Sequence, residues 1–88
     1  MKSWSGYIVQ CADKSYYTGV STSVVLRVQR HNRGQGAKYT KARLPVVLVY
    51  EIPLGNQSSA LKWEHKIKRM THKEKELLVL HSKHKRGM

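Results

Sequence analysis

The chain has 88 residues, of which 40% are apolar, a length that supports one small domain and excludes a second catalytic lobe. Seventeen Lys and Arg against five Asp and Glu give a formal net charge of +12, so nucleic acid is the first expected partner. The single cysteine, Cys11, excludes a disulfide framework. No apolar run approaches the roughly 20 residues of a membrane span, so we expect a cytoplasmic protein, and nothing in the sequence implies a protein partner.

The first predicted element is a β-hairpin that carries two tyrosines. Residues 4–11 and 16–20 are rich in aromatic and β-branched residues, and a polar turn separates them. A three-residue loop would set Cys11 opposite Tyr17 and place Tyr7 and Tyr17 on the same face of the sheet. A two- or four-residue loop would place the two tyrosines on opposite faces. Shared chemistry of the two phenols requires the first case.

A short helix is predicted over residues 23–33, because capping residues precede it and Asn-Arg-Gly ends it. Its Arg27 and His31 are neighbours at i,i+4, on the edge of the apolar stripe where a helix on a sheet meets solvent. The alternative interpretation is structural: Arg27 is a solvated surface residue, and His31 is a histidine that the helix dipole stabilises near the C-terminus of the helix. The buried stripe is expected to consist of three valines, Val24, Val25 and Val28.

Residues 34–43 have no apolar period and are predicted to form a flexible loop with basic residues around one aromatic side chain. Such a loop suits contact with a phosphate backbone, although an ordinary solvated connection has the same composition. The candidate nucleic-acid contacts in and before this loop are Arg30, Arg33, Lys38, Tyr39, Lys41 and Arg43.

The apolar run from 46 to 50 predicts a strand covered on both faces, followed by a turn at 53–56. A helix is then expected from Ser58 or Ser59 through Met70, with Glu64 on the flank of its apolar stripe. Glu64 either pairs with the i,i+4 residue Lys68 or is aimed at a ligand. The apolar stripe itself consists of Ala60, Trp63, Ile67 and Met70.

A capping box at 71–74 begins the last helix. We expect this helix to bury three leucines, with Val79 half exposed; the leucines are Leu77, Leu78 and Leu80. The remaining residues, 81–88, are basic and are predicted to form a disordered tail, so the domain spans 1–80.

Taken in order, these motifs resemble the GIY-YIG endonuclease superfamily, in particular its small stand-alone bacterial members, the YhbQ-like group. The resemblance covers nearly the whole chain. The matching positions are Ser5-Gly6-Tyr7, Tyr17-Thr18-Gly19, Arg27, His31, the segment 34–40 and Glu64.

The resemblance implies an α+β fold, a small sandwich with a three-stranded mixed sheet flanked by about three helices. It also implies hydrolysis of phosphodiester bonds in nucleic acid, DNA more than RNA, with weak sequence selectivity and a role in DNA repair or recombination. The cofactor would be one Mg²⁺ or Mn²⁺ ion, with Glu64 as its ligand, and Arg27 would stabilise charge on the phosphate. Tyr7, Tyr17 and His31 would surround the attacking water. The family pattern favours a tyrosine as the base, whereas His31 is the better base on intrinsic pKa.

The chain departs from the family pattern in two places. Ser5-Gly6-Tyr7 keeps the tyrosine of the first signature but not the Gly-Ile before it, and a residue after the second signature also differs. Several members carry a lysine three residues after the second tyrosine, and here that residue is Val20. The alternative function is therefore a nucleic-acid-binding module that has the same fold and little or no turnover. A scaffold that uses only its charge would leave the ordered Tyr, Arg, His and Glu set unexplained.

Overall fold

The structure, a computed structural model, describes residues 2–86 and the side chains of residues 2–82. Within this part of the chain, strands and helices follow one another as β1 (Trp4–Gln10), β2 (Tyr16–Ser21), α1 (Val24–Asn32), α2 (Lys38–Lys41), β3 (Val47–Gly55), α3 (Gln57–Lys68) and α4 (His72–Arg86). The predicted α+β class is confirmed.

The strands form one sheet in the order β2-β1-β3, and both pairings are antiparallel. The prediction of a mixed sheet is therefore wrong. β2 and β3 run in the same direction, but β1 lies between them, so no parallel pair forms. A fourth helix, α2, adds to the three that were expected, because part of the predicted loop 34–43 is helical.

The hairpin places its two tyrosines on the same face of the sheet. Its loop consists of residues 11–15, and the register sets Tyr17 opposite Val9 and Tyr7 opposite Gly19. Cys11 is not opposite Tyr17, as a three-residue loop would have made it. A five-residue loop has the same parity as a three-residue loop, so the shared face is kept. The tyrosines also lie two residues closer along the strands than the expected register allowed.

Helices cover both faces of the sheet. On the face that we call the α1 face, α1 packs over Tyr7 and Val9, and the buried thiol of Cys11 belongs to the same cluster. On the opposite side, the α3 face, α3 and α4 pack over Ile8. α3 approaches closely because Gly6 has no Cβ, and a methyl group there would overlap the indole of Trp63.

The buried stripes of two helices differ from the predicted ones. In α1, Val25 is 65% exposed and His31 is fully buried, because the inward stripe runs through Val24, Val28 and His31 at helical spacing. In α4, Val79 is only 4% exposed and packs against the sheet, and among the predicted leucines only Leu78 joins it. Leu77 and Leu80 are exposed. The spacing of positions, and not the size of the apolar side chain, decides which residues face inward.

Two boundaries also differ from those predicted. β3 is an edge strand that exposes Val47, so it is not covered on both faces, and it continues to Gly55 through the predicted turn. Asn56 caps α3 by accepting a hydrogen bond from the Ser59 N–H at 2.8 Å.

The capping box that begins α4 is confirmed by reciprocal hydrogen bonds between Thr71 and Glu74. α4 continues to Arg86, beyond the predicted start of the tail, and Gly87 and Met88 lie outside the described residues. The boundary of the domain at residue 80 and the disorder of the tail stay predictions. Among residues 2–86, no helix combines the length and apolar character needed to cross a bilayer.

Candidate active site

Tyr7 is the central residue of a polar cluster on the α1 face. Its side chain is 1% exposed, and its phenol oxygen lies 2.8 Å from Nε2 of His31. Arg27, Tyr17 and Glu64 are close enough for their charges to act on the ionisation of the phenol. The structure thus brings together all five residues that the sequence suggested as catalytic. Tyr7 and His31 lie beneath the surface, however, while the other three are partly exposed.

The glycine of the second signature makes room for the first tyrosine. Gly19 lies opposite Tyr7 on β2, and a Cβ at this position would overlap the phenol ring and its oxygen. No side chain larger than hydrogen fits there without moving Tyr7. The Tyr-Thr-Gly signature therefore sets the position of Tyr7 as well as that of its own tyrosine.

His31 is enclosed by the segment that was predicted to be a flexible loop. Its ring is fully buried, and Nδ1 lies 2.9 Å from the hydroxyl of Thr40, which is also fully buried. Gly36 packs so closely on the ring that a Cβ would overlap Nδ1. The prediction that His31 lies at a solvent edge is therefore wrong, because α2 and the turn before it fold over the end of α1.

Burial shifts the pKa values of both members of the Tyr7–His31 pair. Desolvation raises the pKa of Tyr7 to about 12, although the neighbouring Arg27 guanidinium acts in the opposite direction. Desolvation, and then the positive charge of Arg27, lower the pKa of His31. At pH 7 the phenol is therefore protonated and the imidazole is neutral, and the hydrogen bond between them joins two uncharged groups.

Tyr17 connects this buried pair to the surface. Its ring meets His31 edge-on, with 5.3 Å between ring centroids, and stacks on Tyr39 at 6.1 Å. Arg43 lies over the ring of Tyr39, with Cζ 3.9 Å from the centroid. Arg43 also pairs with Asp13 at 3.1 Å. The structure therefore gives Arg43, a predicted nucleic-acid contact, a role inside the protein as a support for Tyr39.

The other basic residues that were predicted to bind nucleic acid are exposed: Arg30, Arg33, Lys38 and Lys41. Lys38 and Lys41 are the first and last residues of α2, whose inner side contacts His31 through Thr40. The same short helix therefore encloses a buried site residue and presents positive charge to solvent.

Glu64 extends from α3 at the β2 edge of the sheet. Its side chain is 21% exposed, and its carboxylate lies 3.2 Å from Nζ of Lys68, as the i,i+4 spacing predicted. The same ammonium group lies 5.9 Å from the centroid of Tyr17, so Lys68 belongs to the site. From the sequence, Lys68 was predicted only as an i,i+4 partner of Glu64. Its contact with Tyr17 depends on how α3 packs against β2, which helical spacing does not show.

The donor set around Glu64 suits a hard divalent cation. Among the described side chains, no group of three His, Cys, Asp or Glu residues could hold a metal ion on its own. Mg²⁺ commonly binds one or two carboxylates together with substrate phosphate and several waters. A single, partly exposed carboxylate beside cationic and phenolic groups fits that requirement, so Glu64 is the residue that would hold such an ion.

The fold and this cluster define a nuclease class. Residues 3–77 match the model of the GIY-YIG catalytic domain, so the chain belongs to the GIY-YIG family, a nuclease family whose members generally use a divalent metal. Relatives named UPF0213 protein, from several strains of Staphylococcus aureus, are 53% identical to it over 73 residues, which are 83% of this chain and 89% of theirs.

Two solved structures are similar in both sequence and fold. A UPF0213 protein of Bacillus halodurans is 39% identical, with a TM-score of 0.57 over 88% of this chain and 82% of that one. A protein of E. faecalis is 36% identical, with a TM-score of 0.63 over 96% of this chain and 88% of that one. Neither protein's name states a substrate.

Proposed function

We propose that this protein is a divalent-metal-dependent endonuclease that hydrolyses phosphodiester bonds in nucleic acid with weak sequence selectivity. The observation that supports this function best is the buried Tyr7–His31 hydrogen bond beside Arg27 and Glu64. Burying a phenol and an imidazole against each other is costly unless both are hydrogen-bonded, and here their bond lies beside a guanidinium and a carboxylate, an arrangement that suits proton transfer near a phosphate. The net charge of +12 favours a polyanionic substrate.

Arg27 and Glu64 would act on the phosphate from two sides of the cluster. The guanidinium of Arg27 presents paired N–H donors that match the non-bridging oxygens on which negative charge builds during cleavage. Glu64 would anchor the cation, and a bound Mg²⁺ or Mn²⁺ ion would supply Lewis-acid stabilisation of the same charge. Lys68, which now pairs with Glu64, would turn toward the substrate when the carboxylate is engaged.

Tyr7 and His31 would move the proton of the attacking water. With Nε2 of His31 as acceptor, the phenol gives its proton to the imidazole while its oxygen takes the proton of the water. Tyr7 then need not ionise on its own, which its pKa of about 12 opposes at neutral pH. Tyr17, the more exposed phenol, would orient the water or the phosphate.

We further propose DNA as the preferred substrate, DNA repair or recombination as the process and the cytoplasm as the location. The family resemblance supports these choices, and the positive charge supports a nucleic acid of either kind as the substrate. A panel of supercoiled plasmid, branched DNA and folded RNA, digested in parallel, decides between the substrates.

Glu64→Ala tests the proposed function most simply. It removes the carboxylate that would anchor the metal, and we expect Mg²⁺-dependent nicking of supercoiled plasmid to be lost while binding of the plasmid is retained. Glu76→Ala is the matched control, because it makes the same change of charge at an exposed position on α4 and should leave nicking intact. Calorimetry with Mn²⁺ should show weaker metal binding for Glu64→Ala only.

Equal nicking by both variants would return Glu64 to the role of a surface partner of Lys68 and remove the proposed metal site. The wild type could bind the plasmid, the branched DNA and the RNA and cut none of them with either metal. In that case the protein is the alternative, a binding module, as Val20 in place of the family lysine suggests.

A further inference from the structure

We propose that Thr40 is a positioning residue that holds His31 in one tautomer and thereby fixes the direction of the Tyr7–His31 hydrogen bond. Three contacts on the α1 face carry this inference, and its consequence for cleavage rests on the proposed function. Tyr7, His31 and Thr40 form an unbroken chain, with 2.8 Å between the phenol oxygen and Nε2 and 2.9 Å between Nδ1 and Oγ1. All three side chains are at most 1% exposed, so bulk water does not compete for the bonds that join them to one another.

The hydroxyl of Thr40 determines which ring nitrogen carries the proton. It has one hydrogen, which it donates to the carbonyl oxygen of Ala37 at 2.9 Å. Toward Nδ1 it is therefore an acceptor, and Nδ1 must be the protonated nitrogen. A neutral imidazole has only one such proton, so Nε2 of His31 accepts the proton of the Tyr7 phenol.

A second group beside Nδ1 favours the opposite tautomer. The backbone N–H of Ala37 points at Nδ1 from 3.4 Å, which is longer than a good N–H···N contact, while the Thr40 oxygen is at 2.9 Å. With Thr40 present, the shorter contact prevails. Without its oxygen, only the N–H of Ala37 faces Nδ1, and the proton would move to Nε2.

Close packing around His31 leaves its imidazole ring no room to rotate. Gly36 packs directly on Nδ1, where even a methyl group would overlap, and Tyr17 lies against the ring with 5.3 Å between centroids. Rotation of the imidazole is therefore blocked, and the identity of the group at residue 40 sets the tautomer.

The direction of the hydrogen bond decides what Tyr7 offers the substrate. When Nε2 accepts, the phenol oxygen keeps its lone pairs for the attacking water. When Nε2 donates, the phenol is the acceptor in the pair, and its own hydrogen points toward the substrate. The reversed pair keeps the same heavy-atom positions and loses the ability to take a proton.

The test compares Thr40→Val, which keeps the shape and removes the hydroxyl, with Thr40→Ser, which keeps the hydroxyl. Long-range ¹H–¹⁵N NMR correlations show which nitrogen of His31 is protonated, and the His31→Gln spectrum assigns the signals among the five histidines. We expect Nδ1–H in the wild type and in Thr40→Ser, and Nε2–H in Thr40→Val. We also expect the single-turnover cleavage rate to fall about 100-fold in Thr40→Val, with unchanged substrate affinity, and to stay near the wild-type rate in Thr40→Ser.

An Nε2–H tautomer in the wild type, or Nδ1–H in Thr40→Val, overturns the assignment. A reversed tautomer with an unchanged rate overturns its link to cleavage. If the wild type cuts nothing, the proposed function fails, and the NMR comparison alone decides the role of Thr40. Should Thr40→Val not fold, Thr40→Ala against Thr40→Ser isolates the hydroxyl in the same two measurements.

Discussion

The two faces of the sheet bury different kinds of side chain. The α1 face encloses the hydrogen-bonded chain of Tyr7, His31 and Thr40, whereas the α3 face is apolar around Ile8 and Val79. A buried polar group left without a partner costs roughly 1–3 kcal/mol, so the α1 face is stable only while its chain is complete. The α3 face is held mainly by apolar contacts, although it also buries the hydroxyl of Thr18, which has no hydrogen-bond partner among the described residues. Apolar side chains pack on both faces, whereas the buried hydrogen-bonded chain lies on the α1 face only, and Glu64 reaches this site from α3.

The largest expected loss of stability comes from shortening a side chain on the α3 face. Val79→Ala removes two buried methyl groups and leaves a cavity, so we expect unfolding free energy to fall by roughly 1–3 kcal/mol. Leu77→Ala, two residues away and 56% exposed, should change it by less than about 0.5 kcal/mol. Urea unfolding measures both. A larger loss for Leu77→Ala would mean that α4 packs with the other stripe inward.

A smaller loss of stability is expected at low pH, because His31 on the α1 face is harder to protonate in the folded protein than in the unfolded chain. Burial and Arg27 lower the pKa of His31 in the folded state, so between that value and about 6.5 the unfolded chain holds a proton that the native state lacks. Stability therefore decreases as pH falls below about 6.5 and levels off below the folded pKa. From pH 7 to 5.5, wild type should lose up to about 1 kcal/mol more than His31→Gln in urea unfolding. Equal losses of stability in wild type and His31→Gln would show that the pKa of His31 does not differ between the folded and the unfolded state.

Local signals in the sequence predicted most of the elements. The hairpin, the start of α1 after Ser23 and the capping box at Thr71 and Glu74 depend on residues within a few positions of one another, and the structure contains all three, although Ser23 makes no capping hydrogen bond with its side chain. The shared face of the two tyrosines follows from an odd number of loop residues, although the loop has five residues and not the three that were considered. The family resemblance, which rested on the order of the five candidate residues along the chain, suggested that they share a site, and in the structure they lie near one another.

Contacts between distant segments were not predictable in the same way. His31 is buried because Gly36 and Thr40 fold over it, and no hydropathy pattern in residues 34–43 indicates an inward side. Arg43 is held by Asp13, thirty residues earlier, so its positive charge suggested a nucleic-acid contact where the fold uses an ion pair. Helix spacing gave the flank on which Glu64 lies, but not the approach of Lys68 to Tyr17.

The most direct test of the central claim, that the buried phenol on the α1 face takes part in cleavage, is one substitution made on each face. Tyr7→Phe removes the phenol hydroxyl that is bonded to His31, and Tyr16→Phe removes one from the α3 face, where Tyr16 stacks on His72 at 4.9 Å. At saturating folded enzyme, we predict that the single-turnover rate of plasmid cleavage falls by about 10²–10⁴-fold for Tyr7→Phe and stays near wild type for Tyr16→Phe. Equal rates for the two variants, or a larger loss for Tyr16→Phe, would contradict the account.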